Sequence, residues 1–237
     1  MTASVPSTSY KRHAGPHIGV VACVFVGLFI VGLFPVTAFG GKPYFPGPAE
    51  SLDTIAAFFQ ARPSAVLLCA FFQFGAAIPL GLFTASAVSQ LRFLGVRAAG
   101  PNIALFGGFA TAFTMITASS VLWTMTYPGI AQAGPLLQAL YRFAFALGGP
   151  GFSVPFGLLI AGISVSAGLA RLLPKWLAIV GVVIAAIGEL SWLQIVFPKL
   201  LPLIPLTRFP GFIWLIIAGF ALPRAIKTSE AMNRIET

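Results

Sequence analysis

The sequence predicts an all-α, polytopic membrane helix bundle of about six transmembrane helices, with two short amphipathic helices at the external surface. Composition, long apolar runs and the placement of basic residues predict it. Of 237 residues, 58% are hydrophobic and only 8% are charged, whereas soluble domains average about 25% charged residues. The stretches between the apolar runs are too short for a separate soluble domain. Any activity therefore takes place within or beside the membrane.

The formal net charge is +9, which in a soluble protein would suggest nucleic acid as a partner. Here the basic residues lie at the ends of apolar runs and form no patch interleaved with aromatic residues. Membrane topology accounts for them, so we expect no nucleic-acid partner. Membrane lipids are the expected partners, because Arg224 and Lys227 follow the last run and can attract anionic headgroups.

Six runs approach the length of about 20 apolar residues that a helix needs to cross roughly 30 Å of hydrocarbon. The last run is short and is expected to extend back to about Leu203 despite Pro205 and Pro210. This layout divides the chain into a cytoplasmic tail at 1–17, a six-span bundle at 18–223 and a second cytoplasmic tail at 224–237. The runs are 18–39, 64–90, 102–124, 151–170, 176–197 and 210–223.

The basic residues predict that both termini are cytoplasmic, because Lys and Arg accumulate in cytoplasmic loops. If the N-terminus is cytoplasmic, more Lys and Arg residues lie in the cytoplasm than outside, and each of the two short cytoplasmic turns carries two of them. The first run could instead be a signal peptide, but its apolar core exceeds the usual 7–15 residues, which favours an uncleaved helix. The inside set is Lys11, Arg12, Arg92, Arg97, Arg171, Lys175, Arg224, Lys227 and Arg234, and the outside set is Lys42, Arg62, Arg142, Lys199 and Arg208.

Two segments on the external side show helical apolar periodicity. In 51–61, Ser51 is the expected N-cap and Asp53 lies in the first turn, where the helix dipole favours a carboxylate. Such a helix would lie in the membrane interface. The segment 132–147 can be interfacial, re-entrant or spanning, and Gly148 to Gly151 should break the chain after it. The predicted apolar stripes are Leu52, Ile55, Ala56 and Phe59 in the first segment, and Leu136, Leu140, Phe143 and Leu147 in the second.

Glu189 is the only acidic residue inside any run, and a charge at membrane depth must be protonated, paired or in contact with water. Counting residues from the external ends of the runs puts Gln73, Thr114 and Thr117 at a similar depth. Arg142 and Arg208 are the expected counter-charges above this polar layer. One interpretation is a ligand or proton site that opens outward. The other is a structural Glu–Arg pair.

No other pattern indicates chemistry. His13 and His17 flank Gly15-Pro16, which prevents a helical metal-binding pair, and Cys23 and Cys69 lie in apolar runs as small packing residues. No run combines Ser, His and an acid for acyl transfer. The sequence therefore predicts no catalytic residue, no metal ligand and no cofactor.

The segment Leu172-Leu173-Pro174-Lys175-Trp176-Leu177, the apolar helix with Gly181 after it, and the closing Gly211-Phe212-Ile213-Trp214 helix resemble a family of uncharacterised bacterial six-helix integral membrane proteins. The external helix after the first run fits the same layout. The resemblance implies a bacterial inner membrane. It implies no assigned activity, so no site residue is carried over from it.

These observations favour a non-enzymatic bundle that binds a small ligand or lipid, or a subunit of a membrane assembly. The alternative is a small proton-linked secondary transporter that uses Glu189, and the least supported hypothesis is an intramembrane enzyme acting on lipid. Small residues at four-residue spacing, such as Ala77, Gly81 and Ala85, allow close helix packing. That packing serves a monomeric bundle, a homo-oligomer or a membrane-protein partner equally well.

Overall fold

A computed structural model describes residues 10–227 of the chain. The described part is almost entirely helical. Its α-helices are α1 (Ile18–Leu33), α2 (Leu52–Ala61), α3 (Pro63–Phe93), α4 (Gly100–Thr124), α5 (Gly134–Gly148), α6 (Pro150–Leu169), α7 (Lys175–Leu190) and α8 (Leu203–Ala221). Two short strands, β1 (Tyr10–Arg12) and β2 (Ala225–Lys227), flank them.

Six segments are long and apolar enough to cross a membrane, so the chain is a multi-pass membrane protein. They are Ile18–Val36, Pro63–Phe93, Gly100–Thr124, Gly134–Leu169, Lys175–Ile195 and Pro198–Ala221. The count confirms the prediction, and α8 begins at Leu203 as the backward extension anticipated. Pro205 is tolerated there because the first N–H groups of a helix have no intrahelical partner.

The spanning helices form a closed ring. In chain order α1, α3, α4, α6, α7 and α8 each contact the next, and α8 contacts α1. Helix α6 also contacts α3 and α8. Glycines allow the closest approaches: a Cβ on Gly219 would lie 2.7 Å from Gly19 Cα, and one on Gly162 would lie 2.5 Å from Gly100 O. Close packing of small residues is how helices associate in lipid.

Two apolar clusters lie inside the molecule, and the candidate functional site lies between them. The larger one fills the ring and contains the phenylalanines Phe25, Phe29, Phe152, Phe156 and Phe212. The smaller one lies at one end of the bundle, beneath a layer that we call the cap. The cap consists of α2, α5 and the segment 34–46, and its cluster includes Ile55, Phe58, Phe59, Leu137 and Tyr141.

Helix α2 forms with the predicted capping, but its apolar face packs on protein. Thr54 N–H donates to Ser51 Oγ at 3.2 Å, and Asp53 lies in the first turn. Ile55, Phe58 and Phe59 are buried against Phe45, Tyr141 and their neighbours. The predicted stripe omitted Phe58, and its members Ile55 and Phe59 pack against α5 and the segment 34–46, so this part of the stripe faces protein.

Helix α5 packs on the protein through a face other than the predicted apolar stripe. Leu137, Tyr141 and Ala144 are buried, whereas Leu136 and Phe143 of the expected apolar stripe are about half exposed. The reason is that lipid is apolar, so apolar side chains can face outward while a hydroxyl needs a partner inside. Tyr141 Oη donates to Pro46 O, which ties α5 to the segment 34–46.

Helix α5 ends as the glycines predicted. Gly149 has φ −87° and ψ −104°, which is incompatible with a continuing helix, and α6 begins at Pro150. Together α5 and α6 form one candidate span, Gly134–Leu169, with a break at this point.

At the end of the bundle opposite the cap, β1 and β2 pair antiparallel, with Tyr10 opposite Lys227 and Arg12 opposite Ala225. The described chain ends therefore meet on one side, as an even number of spans requires. We call this side the tail end. The outer parts of the two predicted tails, 1–9 and 228–237 (including Arg234), lie outside the described residues.

Candidate functional site: a partly buried arginine beside an apolar cavity

Arg208 lies inside α8, whereas the sequence suggested an external position above the polar layer. It follows Leu203, the first residue of α8, by five positions, or about 7.5 Å along the helix axis at 1.5 Å per residue. The helix begins earlier than the apolar run because a Leu-, Ile- and Pro-rich segment precedes Arg208. The bundle thus holds a cation among apolar side chains.

Three groups surround the Arg208 guanidinium. Its Nη2 donates to the carbonyl of Gly148, the last residue of α5. Its Cζ lies 4.7 Å from the centre of the Phe152 ring and 5.4 Å from that of Phe29. A helix C-terminus carries roughly half a negative charge, and each cation–π contact contributes about 0.5–2 kcal/mol. These groups compensate part of a full positive charge.

Part of the charge and of the hydrogen-bonding capacity of Arg208 is left over. A guanidinium has five N–H donors in a planar fork and no acceptor. The Nε of Arg208 is shielded from solvent and has no hydrogen-bond partner among the described residues. A buried donor without a partner costs about 1–3 kcal/mol, and more when it is charged. The site therefore has an unmet demand for an acceptor.

A cavity of about 220 Å³ adjoins Arg208, between the cap and the phenylalanine cluster. It is lined mainly by apolar side chains, and no Asp or Glu is among the described residues that line it. Four polar groups reach it besides the arginine: Thr37, Cys69, Gln73 and the main chain of Gly148–Gly149. A single cation beside a mainly apolar lining suits an anion attached to an apolar group.

Gln73 is the predicted site residue that lies with Arg208 on this cavity. Its Nε2 lies 3.6 Å from Cys69 Sγ, one turn earlier on α3. Sulfur is a weak acceptor, so this contact leaves most of the amide's bonding capacity available. Cys69 is free and buried, and Cys23 is free and exposed. Gln73 and Cys69 thus bring polar atoms of α3 to the cavity that Arg208 adjoins.

Glu189 lies elsewhere and forms no ion pair among the described residues. Its Oε1 is shielded and has no hydrogen-bond partner there. A Cβ on Gly157 would lie 3.2 Å from that oxygen, so the carboxyl group packs against α6 on a side that does not line the cavity. Arg208 donates instead to Gly148. The expected Glu–Arg pair is therefore absent, because the two side chains extend to different faces of α6.

The other predicted site residues do not join Arg208. Thr114 Oγ1 donates to Thr111 O and Thr117 Oγ1 to Phe113 O, so each hydroxyl is satisfied within its own helix. Arg142 is exposed on α5. Equal depth along a helix therefore did not bring these side chains together, because depth does not specify which face of the helix a residue occupies.

Sequence reasoning missed most of the cavity. Phe29, Phe152, Cys69 and the Gly148 carbonyl belong to helices whose neighbours the sequence could not specify. Two signals were available: an arginine in the apolar stretch Leu206-Thr207-Arg208-Phe209, and a glycine-rich break that leaves carbonyls of α5 without helical partners. The glycine-rich break was predicted and the arginine is visible in the sequence, but only the fold shows that the two lie side by side.

Comparison of the chain with protein-family models, curated proteins and solved structures gives no match. Within residues 10–227, no group of three or more His, Cys, Asp or Glu side chains is placed to hold a metal ion. The groups that line the site are one guanidinium, one amide, one thiol and a hydroxyl beside a set of aromatic rings. This set can bind and orient an anion.

Proposed function

We propose that this membrane protein is a non-enzymatic binding protein for an amphiphilic anion, an acyl chain with a carboxylate or phosphate head. The observation that carries the proposal is Arg208, a guanidinium with an unpartnered, shielded Nε beside an apolar cavity that no acidic side chain lines. Guanidinium groups bind carboxylate and phosphate through two parallel hydrogen bonds. The head would contact Arg208 and Gln73, and the start of the chain would lie against the rings.

The size of the cavity limits how much of such a ligand is enclosed. A volume of about 220 Å³ corresponds to roughly seven waters at about 30 Å³ each, and pockets for drug-sized ligands are larger, about 300–1,000 Å³. The head and the first methylene groups fit, and the rest of the chain lies outside. A soluble polar metabolite suits the site less, because most of the lining offers no hydrogen bond.

The other readings have less support. A proton-linked transporter would use Glu189, but that carboxyl group lies on a different face of α6 from the cavity. An intramembrane enzyme acting on lipid would need a nucleophile and a base, and the described lining of the cavity offers Cys69 and Thr37 but no His, Asp or Glu to act as the base. A role as a subunit of a membrane assembly, or as a homo-oligomer, remains compatible with ligand binding and would appear as a co-purifying partner.

We place the protein in the bacterial inner membrane with both termini in the cytoplasm. The charge bias supports this orientation, and the β1–β2 pairing supports a shared side. A reporter that is active only in the periplasm, fused after Thr237, should be inactive, and the same reporter inserted at Gly47 in the cap segment should be active. The reverse pattern would show that both termini face the periplasm, and it would leave the proposal for the cavity unaffected.

Binding to the purified, delipidated protein tests the function. A radiolabelled fatty acid should bind saturably, and its methyl ester, which lacks the charge, should bind at least tenfold more weakly. Arg208→Gln should weaken binding of the acid by about 10–100-fold, since a charge-assisted hydrogen bond contributes about 1.5–3 kcal/mol and 1.4 kcal/mol corresponds to tenfold. Arg142→Gln is the matched control and should leave the affinity unchanged.

A second variant covers the case in which Arg208→Gln does not fold. Ala144 is buried and lines the cavity, so Ala144→Phe should block binding while Arg208 stays in place. Equal affinity for acid and ester, or full binding by both Arg208→Gln and Ala144→Phe, would overturn the proposal.

A further inference from the structure

A second pocket, at the tail end, differs in chemistry from the Arg208 cavity. It has a volume of about 510 Å³ and lies between the N-terminal segment and the tail end of α3. The N-terminal side contributes three basic side chains, and α3 contributes two hydroxyls and an aromatic ring. The residues that line it are Lys11, Arg12, His13, Ala14 and Gly15, together with Ala85, Ser86, Ser89 and Phe93.

The positive charge of this pocket is not neutralised by the described residues. Lys11 and Arg12 are exposed, and the side chain of neither forms a hydrogen bond or ion pair with another described residue. The described acids lie elsewhere: Glu50 just before α2, Asp53 in its first turn and Glu189 in α7. Nearby Arg224 adds further positive charge while it donates to Gly15 O at 2.7 Å. Within residues 10–227, the pocket thus carries positive charge without an acidic counter-charge.

Hydrogen bonds fix the histidine on one wall. Gly15 N–H donates to His13 Nδ1 at 3.2 Å, so that nitrogen is an acceptor and carries no proton. The proton is then on Nε2, which lies 3.0 Å from Ser89 Oγ and donates to it. The ring also contacts Phe93, with centroids 5.4 Å apart. Neutral His13 therefore orients Ser89, and the Ser89 hydroxyl proton stays available to another acceptor.

The hydroxyls of this pocket differ from others in the spans. Thr84, Thr111 and Ser120 each donate to a carbonyl one turn earlier in their own helix, which is the usual way to satisfy a hydroxyl in an apolar helix. Ser86 and Ser89 make no such bond within the described chain. The hydroxyls of Ser86 and Ser89 can therefore donate to a bound oxyanion beside the basic side chains of the pocket.

The same face of α3 is apolar below the pocket. Ile78 and Leu82 are 60% and 54% exposed, and they precede Ser86 by two turns and one turn along one side of the helix. An exposed apolar stripe that leads into a basic, hydroxyl-bearing pocket matches a phospholipid, with the chain along the stripe and the headgroup above it. A free phosphate would use the pocket and leave the stripe unused.

We propose that this pocket binds the phosphate of an anionic phospholipid headgroup, through Lys11, Arg12 and the hydroxyls of Ser86 and Ser89. This site is separate from the Arg208 cavity and does not depend on the function proposed for that cavity. Each Lys or Arg close to an anionic headgroup strengthens binding severalfold, so two together give a selectivity of about tenfold or more over a zwitterionic lipid.

The test is lipid retention by the full-length protein, measured by native mass spectrometry after titration with phosphatidylglycerol or phosphatidylcholine. The parent should retain phosphatidylglycerol at least about tenfold more tightly. The double variant Lys11→Gln/Arg12→Gln should lose this preference. The matched double variant Arg171→Gln/Lys175→Gln removes the same charge from exposed residues at the same end of the bundle and should keep it. Ser86→Ala/Ser89→Ala should weaken the preference severalfold.

Two results would overturn the proposal. Equal losses in the two charge-removing variants would show a diffuse attraction between the tail end and anionic lipid, without a site. Displacement of phosphatidylglycerol by millimolar inorganic phosphate, with the same response to Lys11→Gln/Arg12→Gln, would show that the ligand is free phosphate.

Discussion

The guanidinium carbon of Arg208 lies 4.7 Å from the centre of the Phe152 ring. Arg208 belongs to α8, Phe152 to the first turn of α6, and the same guanidinium bonds the last carbonyl of α5. One side chain therefore joins three helices at the break between α5 and α6. An anion bound to Arg208 would compete with this carbonyl for its donors, so occupancy of the cavity and the geometry of the break are coupled.

The first prediction concerns Glu189. Because its Oε1 has no hydrogen-bond partner among the described residues, Glu189→Gln breaks no ion pair and keeps the shape that fits against Gly157. We expect the free energy of unfolding to change by well under the roughly 3–5 kcal/mol that a broken buried pair costs, because the substitution removes no partner. Thermal unfolding in detergent measures it. A loss near 3 kcal/mol, typical of a broken buried pair, would show that the carboxylate has a partner.

The second prediction concerns Gln90, which is fully buried on α3. Its Nε2 donates to Pro223 O at 2.8 Å and to Leu222 O at 3.3 Å, which ties the end of α8 to α3. Gln90→Met leaves these carbonyls without a donor, at a cost of about 1–3 kcal/mol. The buried Gln90 Oε1 is itself unpartnered, and its removal offsets part of the loss. We therefore expect a destabilisation of about 1 kcal/mol.

Gln60→Met is the matched control for Gln90→Met. Gln60 also donates to a backbone carbonyl, Ala131 O at 3.3 Å, but this bond is exposed. Its loss should change the free energy of unfolding by less than about 0.5 kcal/mol. Equal effects of the two substitutions in a chemical-denaturation series would contradict the anchoring role of Gln90.

The third prediction concerns pH. The pKa of His13 is lowered from 6.5 by burial and then by the positive charge of Arg224. The unfolded chain therefore binds the proton first as the pH falls, so the histidine's contribution to stability is complete above pH 6.5 and is lost progressively below it. Protonation also removes the acceptor for Gly15 N–H. Amide exchange in residues 10–15 should accelerate below pH 6.5 relative to α6, beyond the intrinsic pH dependence of exchange.

His13→Gln is the control for this pH dependence. It removes the titrating group, so the protection of residues 10–15, corrected for intrinsic exchange, should become independent of pH between 5 and 7.5, an interval of about one unit or more on either side of the ordinary histidine value. The same pH dependence in His13→Gln would assign the effect to another group.

The sequence allowed the membrane spans to be predicted well and the site poorly. Hydropathy reports whether a segment suits lipid, and all six spans were found, including the extension of α8 back to Leu203. The Ser51 cap and the break at Gly148 to Gly151 were also predictable, because both depend on local backbone chemistry. These features need no knowledge of which helices are neighbours.

The site depends on which helices are neighbours. The sequence does not specify this, so most of the residues that line the cavity were not predicted. The predicted polar layer grouped Glu189, Gln73, Thr114 and Thr117 by depth, yet only Gln73 lines the cavity with Arg208. The rotation of each helix about its axis decides this, and the hydrophobic periodicity that reveals rotation in soluble helices is weak when lipid replaces water. The same cause explains why Tyr141 of α5 is buried while Phe143, on the predicted apolar stripe, is exposed.

The most direct test of the central claim is photolabelling by a fatty acid that carries a diazirine on a methylene near its carboxylate. We predict crosslinks in the peptides that contain the α5–α6 junction around Gly149 and the start of α8 around Ile204, lost in Arg208→Gln and retained in Arg142→Gln. Competition by unlabelled fatty acid, and not by its methyl ester, should abolish them. Labelling confined to outward-facing residues such as Phe71, or unchanged labelling in Arg208→Gln, would contradict the assignment of the cavity as an anion site.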